Sequence, residues 1–204
     1  MTLDDNTVNM KSPKRGYHHG DLRSALITAG VELLTAGSAD TLSLRQVARA
    51  VGVSPTAVYR HFPDKQALLY AICEHTSDAL SQAQSAAAQA AGGGAAGFAA
   101  TGQAYVRFAL DHPTSFRLLM STRPPKDHFA GETTHAHAAM RLLRENVAAL
   151  LPAGASNEAQ RRAAIQAWAL VHGMAMLMLD GQIEADDALI ASVASPIGSA
   201  ETCA

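Results

Sequence analysis

The sequence predicts an all-α protein, on three observations. Apolar residues recur at helical spacing through most of the chain. No run alternates apolar and polar residues as a half-buried strand would. No Asn-Gly or Asp-Gly pair joins two apolar segments, apart from Asp180-Gly181, which ends a helix. With 204 residues, 48% of them hydrophobic and 17% charged, the chain can build a sizeable core in one or two domains.

Taken in order, residues 1–16 are polar and read as a flexible basic arm, with Lys11, Lys14 and Arg15 followed by His18 and His19. Asp21 reads as the cap of a first helix that buries Leu22, Leu26, Ala29 and Leu33 and stops at Gly37. Ser43 and Gln46 form a capping box for a short second helix, with Leu44, Val47, Ala48 and Val51 on one face. Gly52 supplies the left-handed residue that ends it. Val53 anchors the turn, Ser54 caps a third short helix, and Pro55 takes its first position, where a missing amide is harmless. Val58 and Phe62 point inward, and Ala48 and Val58 meet across the turn.

These elements make a three-helix head over residues 17–63, with a helix-turn-helix at its end. Asp64 caps a long helix to about Ala91, burying Leu68, Ile72, Leu80 and Ala83 and linking the head to the rest; Gly92, Gly93 and Gly94 break it. Helices follow over Phe98–Asp111, Pro113–Met120, Glu132–Leu151, Ser156–Asp180 and Ala185–Val193, with a loop over Ser121–Gly131. Residues 64–195 thus read as a second, helical domain, and 196–204 as a disordered tail.

The outer side of the helix-turn-helix carries Thr56, Tyr59, Arg60 and His61, a mixture of hydroxyl, cation and amphipathic ring suited to phosphates and base edges. Charge supports this. Residues 11–70 hold eight Lys and Arg against four Asp and Glu, whereas the remainder holds eight against fourteen, so an acidic total hides a basic module. Arg45 and Arg60 can reach guanine edges or phosphates, while Tyr59, His61 and Lys65 suit phosphates. Against this stand plainer roles: Tyr59 covering the core edge, Arg45 paired with Asp40 or solvent, His61 capping a turn.

In the second half, Tyr105, Phe108, Phe116, Leu119, Met120, Met140, Trp168, His172 and Met176 have the composition of an apolar cavity with a few polar groups, and equally of a bundle core. Trp168 and His172 share a helix face, and Gly173 lets another backbone approach.

No metal is expected, because His135 and His137 in a helix point about 200° apart. Pairings of His128 with His135 or His112 with His172 need tertiary coincidence. No cofactor or enzymatic activity is expected either, since Gly-rich phosphate loop, nucleophile elbow, HExxH and CxxC motifs are lacking. Cys73 and Cys203 make no disulfide framework, residues 1–16 hold no apolar leader, and the apolar run Ala167–Leu179 is too short for a bilayer. A soluble cytoplasmic protein with no membrane partner is the expectation.

The head resembles the tetracycline-repressor (TetR) family of bacterial transcription regulators. The matching residues are Arg23, Leu26, Ala29, Leu33, Leu34, Gly37, Thr41, Leu44, Val47, Ala48, Gly52, Val53, Ser54, Val58, Tyr59, His61, Phe62, Lys65, Leu68 and Leu69. The run Tyr17 to Arg23, together with Trp168, His172 and Gly173, is similar to the branch with a WHG-type C-terminal domain.

The resemblance implies a homodimer on a palindromic operator, repressing nearby genes until a small apolar or amphipathic effector respaces the heads, and makes residues 64–195 an effector-binding and dimerisation domain. It carries DNA contacts over to Thr41, Ser43, Arg45, Thr56, Tyr59, His61 and Lys65, with Lys14 and Arg15 in the arm. The chain departs from many relatives at Pro55, Thr56 and Arg60, so the operator sequence does not carry over. The alternative is a helical ligand-binding or interaction protein without sequence-specific DNA binding.

Overall fold

The computed structural model describes residues 19–121 and 138–194, with side chains described over 22–121 and 142–192. The arm with Lys14 and Arg15, most of the loop read over Ser121–Gly131, His128, His135, His137 and the tail lie outside the described residues. Among the described residues there are nine helices and no strand: α1 (His19–Ala36), α2 (Leu44–Val51), α3 (Pro55–Tyr59), α4 (Lys65–Ala90), α5 (Gly94–Asp111), α6 (Pro113–Ser121), α7 (Ala138–Leu150), α8 (Asn157–Leu179) and α9 (Asp187–Ala194).

Local chemistry sets most of these boundaries. At α2 the Gln46 amide donates to Ser43 Oγ at 3.3 Å, and the Ser43 hydroxyl in turn donates to Gln46 Oε1 at 2.9 Å. Gln46 therefore answers the cap through its hydroxyl rather than through the Ser43 backbone amide. Gly52 closes α2 at φ 76°, with its amide bonded to Arg49 O and the Val53 amide to Ala48 O. That pair of bonds is a Schellman motif. Ala57 donates to Ser54 Oγ and Ala67 to Asp64 Oδ1, capping α3 and α4.

Three boundaries differ from expectation. The first helix begins at His19, so Asp21 lies in its first turn rather than at its cap. The helix expected from Phe98 starts four residues earlier, because Gly94 carries a positive φ into its first position and the chain is helical at once. The third helix is only five residues long, and Phe62 is buried from the turn beyond it, where both His61 and Phe62 amides bond to Val58 O. For the helix expected over Glu132–Leu151, only the part from Ala138 is described.

Two clusters form the interior. The first unites Leu26, Ile27 and Leu34 of α1, Leu44, Val47 and Ala48 of α2, Val58, Phe62, and Leu68, Ala71 and Ile72 of α4. Leu22 and Leu33, expected at full depth, are only partly buried, and Ile27 and Leu34 take the deeper positions. The second unites Leu80 of α4, Tyr105, Val106, Phe108 and Ala109 of α5, Phe116 of α6, and Met174, Ala175 and Met178 of α8, with Ile190 of α9.

Helix α6 touches both clusters, Leu118 facing the first and Phe116, Leu119 and Met120 the second. Arg117 then ties α6 to the end of α8, donating to the Leu179 carbonyl and to Asp180 Oδ1.

The apolar run Ala167–Leu179 proves to be part of a 23-residue helix, long and apolar enough by length and composition to cross a membrane, with a mean hydropathy of 1.2. Its first turns carry Glu158, Arg161 and Arg162, and it packs on α5, α7 and α9 as a bundle helix.

A Cβ added at Gly52 meets nothing within 4 Å, so substitution there strains only the backbone. Gly52→Ala is expected to lose about 1 kcal/mol, roughly 2–4 °C in Tm. Gly52→Asn should lose less, because asparagine tolerates the left-handed region; denaturant melts of the two variants check the order.

Candidate nucleic-acid interface and effector site

Of the sequence-predicted residues, Ser43, Arg45, Tyr59 and Lys65 meet at one opening of the head. A cleft of about 420 Å³ is lined by Leu42, Ser43, Leu44, Arg45, Tyr59, Pro63, Asp64 and Lys65, joining the start of α2, the end of α3 and the start of α4. Tyr59 is 50% exposed, although its ring could have closed over the core. Arg45, Pro55, Thr56 and Arg60 are exposed and His61 is half-buried.

Two predicted contacts also hold the scaffold. Lys65 Nζ donates to the Asp40 carbonyl at 2.8 Å, tying the start of α4 to the α1–α2 connection. Thr41 Oγ1 donates to Ser38 O at 3.0 Å and accepts from the Ser38 amide at 3.2 Å, so its hydroxyl proton is already engaged. Arg23, counted only as a matching residue, lies with its guanidinium 5.4 Å from the Phe62 ring centroid and closes the head beneath α3.

In the second cluster the structure brings together most of the predicted cavity residues as a polar knot within apolar packing. Trp168 Nε1 donates to Tyr105 Oη at 3.2 Å, Tyr105 Oη lies 3.0 Å from His172 Nδ1, and Met120 Sδ is 3.8 Å away. Phe116 packs edge-on to Tyr105 at 5.4 Å between centroids, and His172 stacks on Trp168 at 5.4 Å. Phe108 is buried and Met176 partly buried in the same cluster, and the Met140 side chain lies outside the described residues.

Burial pushes the Tyr105 phenol well above its ordinary range, against a smaller opposing effect of the Trp168 hydrogen bond. Burial also pulls the His172 imidazole below its usual value, favouring the neutral ring.

The outer face of α8 is apolar and open. Ile165, Leu170 and Leu177 are 37%, 42% and 39% exposed, and a Cβ at Gly173 meets nothing within 4 Å. Among the described residues, therefore, no backbone approaches Gly173. Two features of the structure lie beyond sequence pattern: α6 as a bridge between the clusters and Gln84 as a buried group. Leu118 gave no signal beyond one apolar residue in a short helix, and Gln84 sat in an Ala-rich run with no pattern of its own. Among the described residues no cluster of three His, Cys, Asp or Glu side chains could hold a metal ion.

A capped helix-turn-helix with exposed cations and a hydroxyl, mounted on a helical bundle, defines a DNA-binding regulator. Residues 26–72 match the family profile described as bacterial regulatory proteins, tetR family, and residues 98–195 the tetracyclin repressor-like C-terminal domain. The chain belongs to the TetR family of transcriptional regulators.

Among solved structures it is similar to a protein of unknown function from Rhodococcus sp. RHA1, at 33% identity and TM-score 0.72, over 89% of this chain and 95% of that one. A tetR-family transcriptional regulator from Streptomyces coelicolor shares the fold at 23% identity and TM-score 0.62, over 86% and 78% of the chains. A TetR-like transcriptional regulator from Rhodococcus sp. RHA1 does so at 15% identity and TM-score 0.54, over 90% and 96%.

Tyr105→Phe removes the oxygen that serves Trp168 and His172, leaving polar ring atoms without their partner in an apolar setting. A loss of about 1–3 kcal/mol in urea unfolding is expected. Tyr70→Phe, at a 45% exposed position on α4, should be near neutral in the same measurement.

Proposed function

We propose that the protein is a cytoplasmic repressor that binds a palindromic operator as a homodimer and is controlled by a small molecule held in its second cluster. The observation that carries the DNA reading is the cleft that sets Ser43, Arg45, Tyr59 and Lys65 around one opening beside the exposed Thr56 and Arg60. Hydroxyls and cations so arranged suit phosphates along the groove wall, and Arg45 and Arg60 suit base edges.

Support for a dimer comes from α8. An open face bearing Ile165, Ala169, Leu170, Gly173 and Leu177 is the kind of surface a second helix covers, and glycine at its centre admits close approach. Two heads on such an axis meet successive major-groove half-sites.

Control needs an effector with different affinities for two head spacings. Helices α4 and α6 both reach from the second cluster into the head, so a ligand among Tyr105, Phe108, Phe116, Met120, Met140, Trp168, His172 and Met176 acts on the head through them.

Salt-titrated binding to genomic fragments tests the regulator reading. One or a few fragments should bind far more tightly than bulk DNA, with affinity falling steeply as salt rises. Uniform weak binding to every fragment would favour an interaction protein instead. Tyr59→Phe should weaken binding to all fragments alike, whereas Arg60→Ala should lose about 1–3 kcal/mol of discrimination at one base pair of the preferred fragment.

A Leu170→Asp, Leu177→Asp double variant should sediment as a monomer. It should lose roughly 10²-fold or more in affinity for a two-half-site fragment while a single half-site is bound as before. A double variant that remains dimeric would remove α8 as the interface.

A further inference from the structure

Gln84 is 8% exposed on α4, one turn beyond Leu80 of the second cluster. Its Nε2 donates to the Thr101 carbonyl of α5 at 3.2 Å, while Oε1 has no hydrogen-bond partner among the described residues. Flipping the amide does not help, because it would set the oxygen against the Thr101 carbonyl. The Thr101 carbonyl lies inside α5, so it can be served by the helix without Gln84. The amide therefore gives the fold little, and its buried, unpaired acceptor is among the less favourable groups a core can hold. Leucine or methionine would fill the same space without that penalty.

Thr101, whose carbonyl Gln84 meets, stands one turn before Tyr105 of the knot on α5. No Asp, Glu, Lys or Arg is among the buried side chains described.

We propose that Gln84 Oε1 is the hydrogen-bond acceptor that anchors the effector, and that the effector is an uncharged amphiphile with an apolar body and an O–H or N–H donor. This rests on the effector reading above. A charged ligand would enter a site with no buried counter-charge among the described residues, and a ligand with only acceptors would leave the amide oxygen unpaired. A donor-bearing ligand completes it, so selectivity arises from a group that the free protein leaves incomplete.

The chain has a single tryptophan, and Trp168 sits in the knot, so its fluorescence reports binding to the full-length protein. Three probes of matched shape separate the requirements: 4-octylphenol (donor), 4-octylanisole (acceptor only) and 4-octylbenzoate (anion). The wild type should bind octylphenol about tenfold more tightly than octylanisole, the effect of one buried hydrogen bond, and octylbenzoate more weakly than octylphenol. In Gln84→Met the octylphenol affinity should fall to that of octylanisole, while the unliganded variant melts at or above the wild-type temperature.

Equal binding of phenol and anisole by the wild type, a preference that survives in Gln84→Met, or octylbenzoate binding as tightly as octylphenol overturns the assignment and leaves the effector site standing. A Gln84→Met protein that melts lower without ligand, or fails to fold, gives the amide a structural role, with water as its partner, and also overturns it. Binding of none of the three overturns both the assignment and the effector reading.

Discussion

Everything in this structure hangs on one uninterrupted helix being shared by two interiors. Helix α4 runs 26 residues, about 39 Å at the standard rise. Leu68, Ala71 and Ile72 complete the core of the head, and Leu80 enters the core of the bundle. Neither interior closes without it. A helix buried at both ends cannot shift within one core without disturbing the other, because close-packed interiors have discrete arrangements rather than a continuum of them. The helix-turn-helix head and the helical bundle are thereby joined mechanically.

Helix α6 adds a second connection of different character. It is short, and its Leu118 packs against the core of the head while Phe116 is fully buried in the bundle. Arg117 fixes its flank to the end of α8, the helix whose outer face is open. A displacement in the polar knot, where Met120 of α6 approaches Tyr105, thus has a short route to the head and another to the proposed subunit contact.

How much of this was legible in the sequence follows from which forces are local. Ser43, Gly52, Ser54, Pro55 and Asp64 act on backbone groups within a few residues, and the boundaries they mark, from α2 to the start of α4, stand where the residue chemistry put them. The exposed side of the helix-turn-helix was partly legible for the same reason: once Val58 is committed inward Arg60 has little choice, whereas Tyr59 could equally have covered the core edge and is instead 50% exposed.

Other features depend on partners far along the chain. Lys65 reads as a free cation until the Asp40 carbonyl, 25 residues back, is placed beside it. Gln84 carries no signal of its own in an Ala-rich run until α5 lies across it. The start of α5 was misplaced because glycine marks a break by propensity, whereas here Gly94 both ends the break and opens the helix. The aromatic residues of the second half were recognised as a group, but composition alone does not reveal that Tyr105, Trp168 and His172 share hydrogen bonds.

The turn between α4 and α5 has one more consequence. Gly92, Gly93 and Gly94 take φ of 80°, 74° and 58° in succession, a path that side-chain-bearing residues resist, and the Gly93 amide bonds back to Ala88 O. The distal tip of the long helix thus ends in a sharp bend closed by that hydrogen bond. A rod clamped at one extremity swings most at the other, so a tilt of about five degrees about that bend would carry the opposite tip some 3 Å over the length of the rod. The glycine bend would then act as a fulcrum, turning a side-chain-sized disturbance in the bundle into a displacement of the reading surface comparable to a base-pair step.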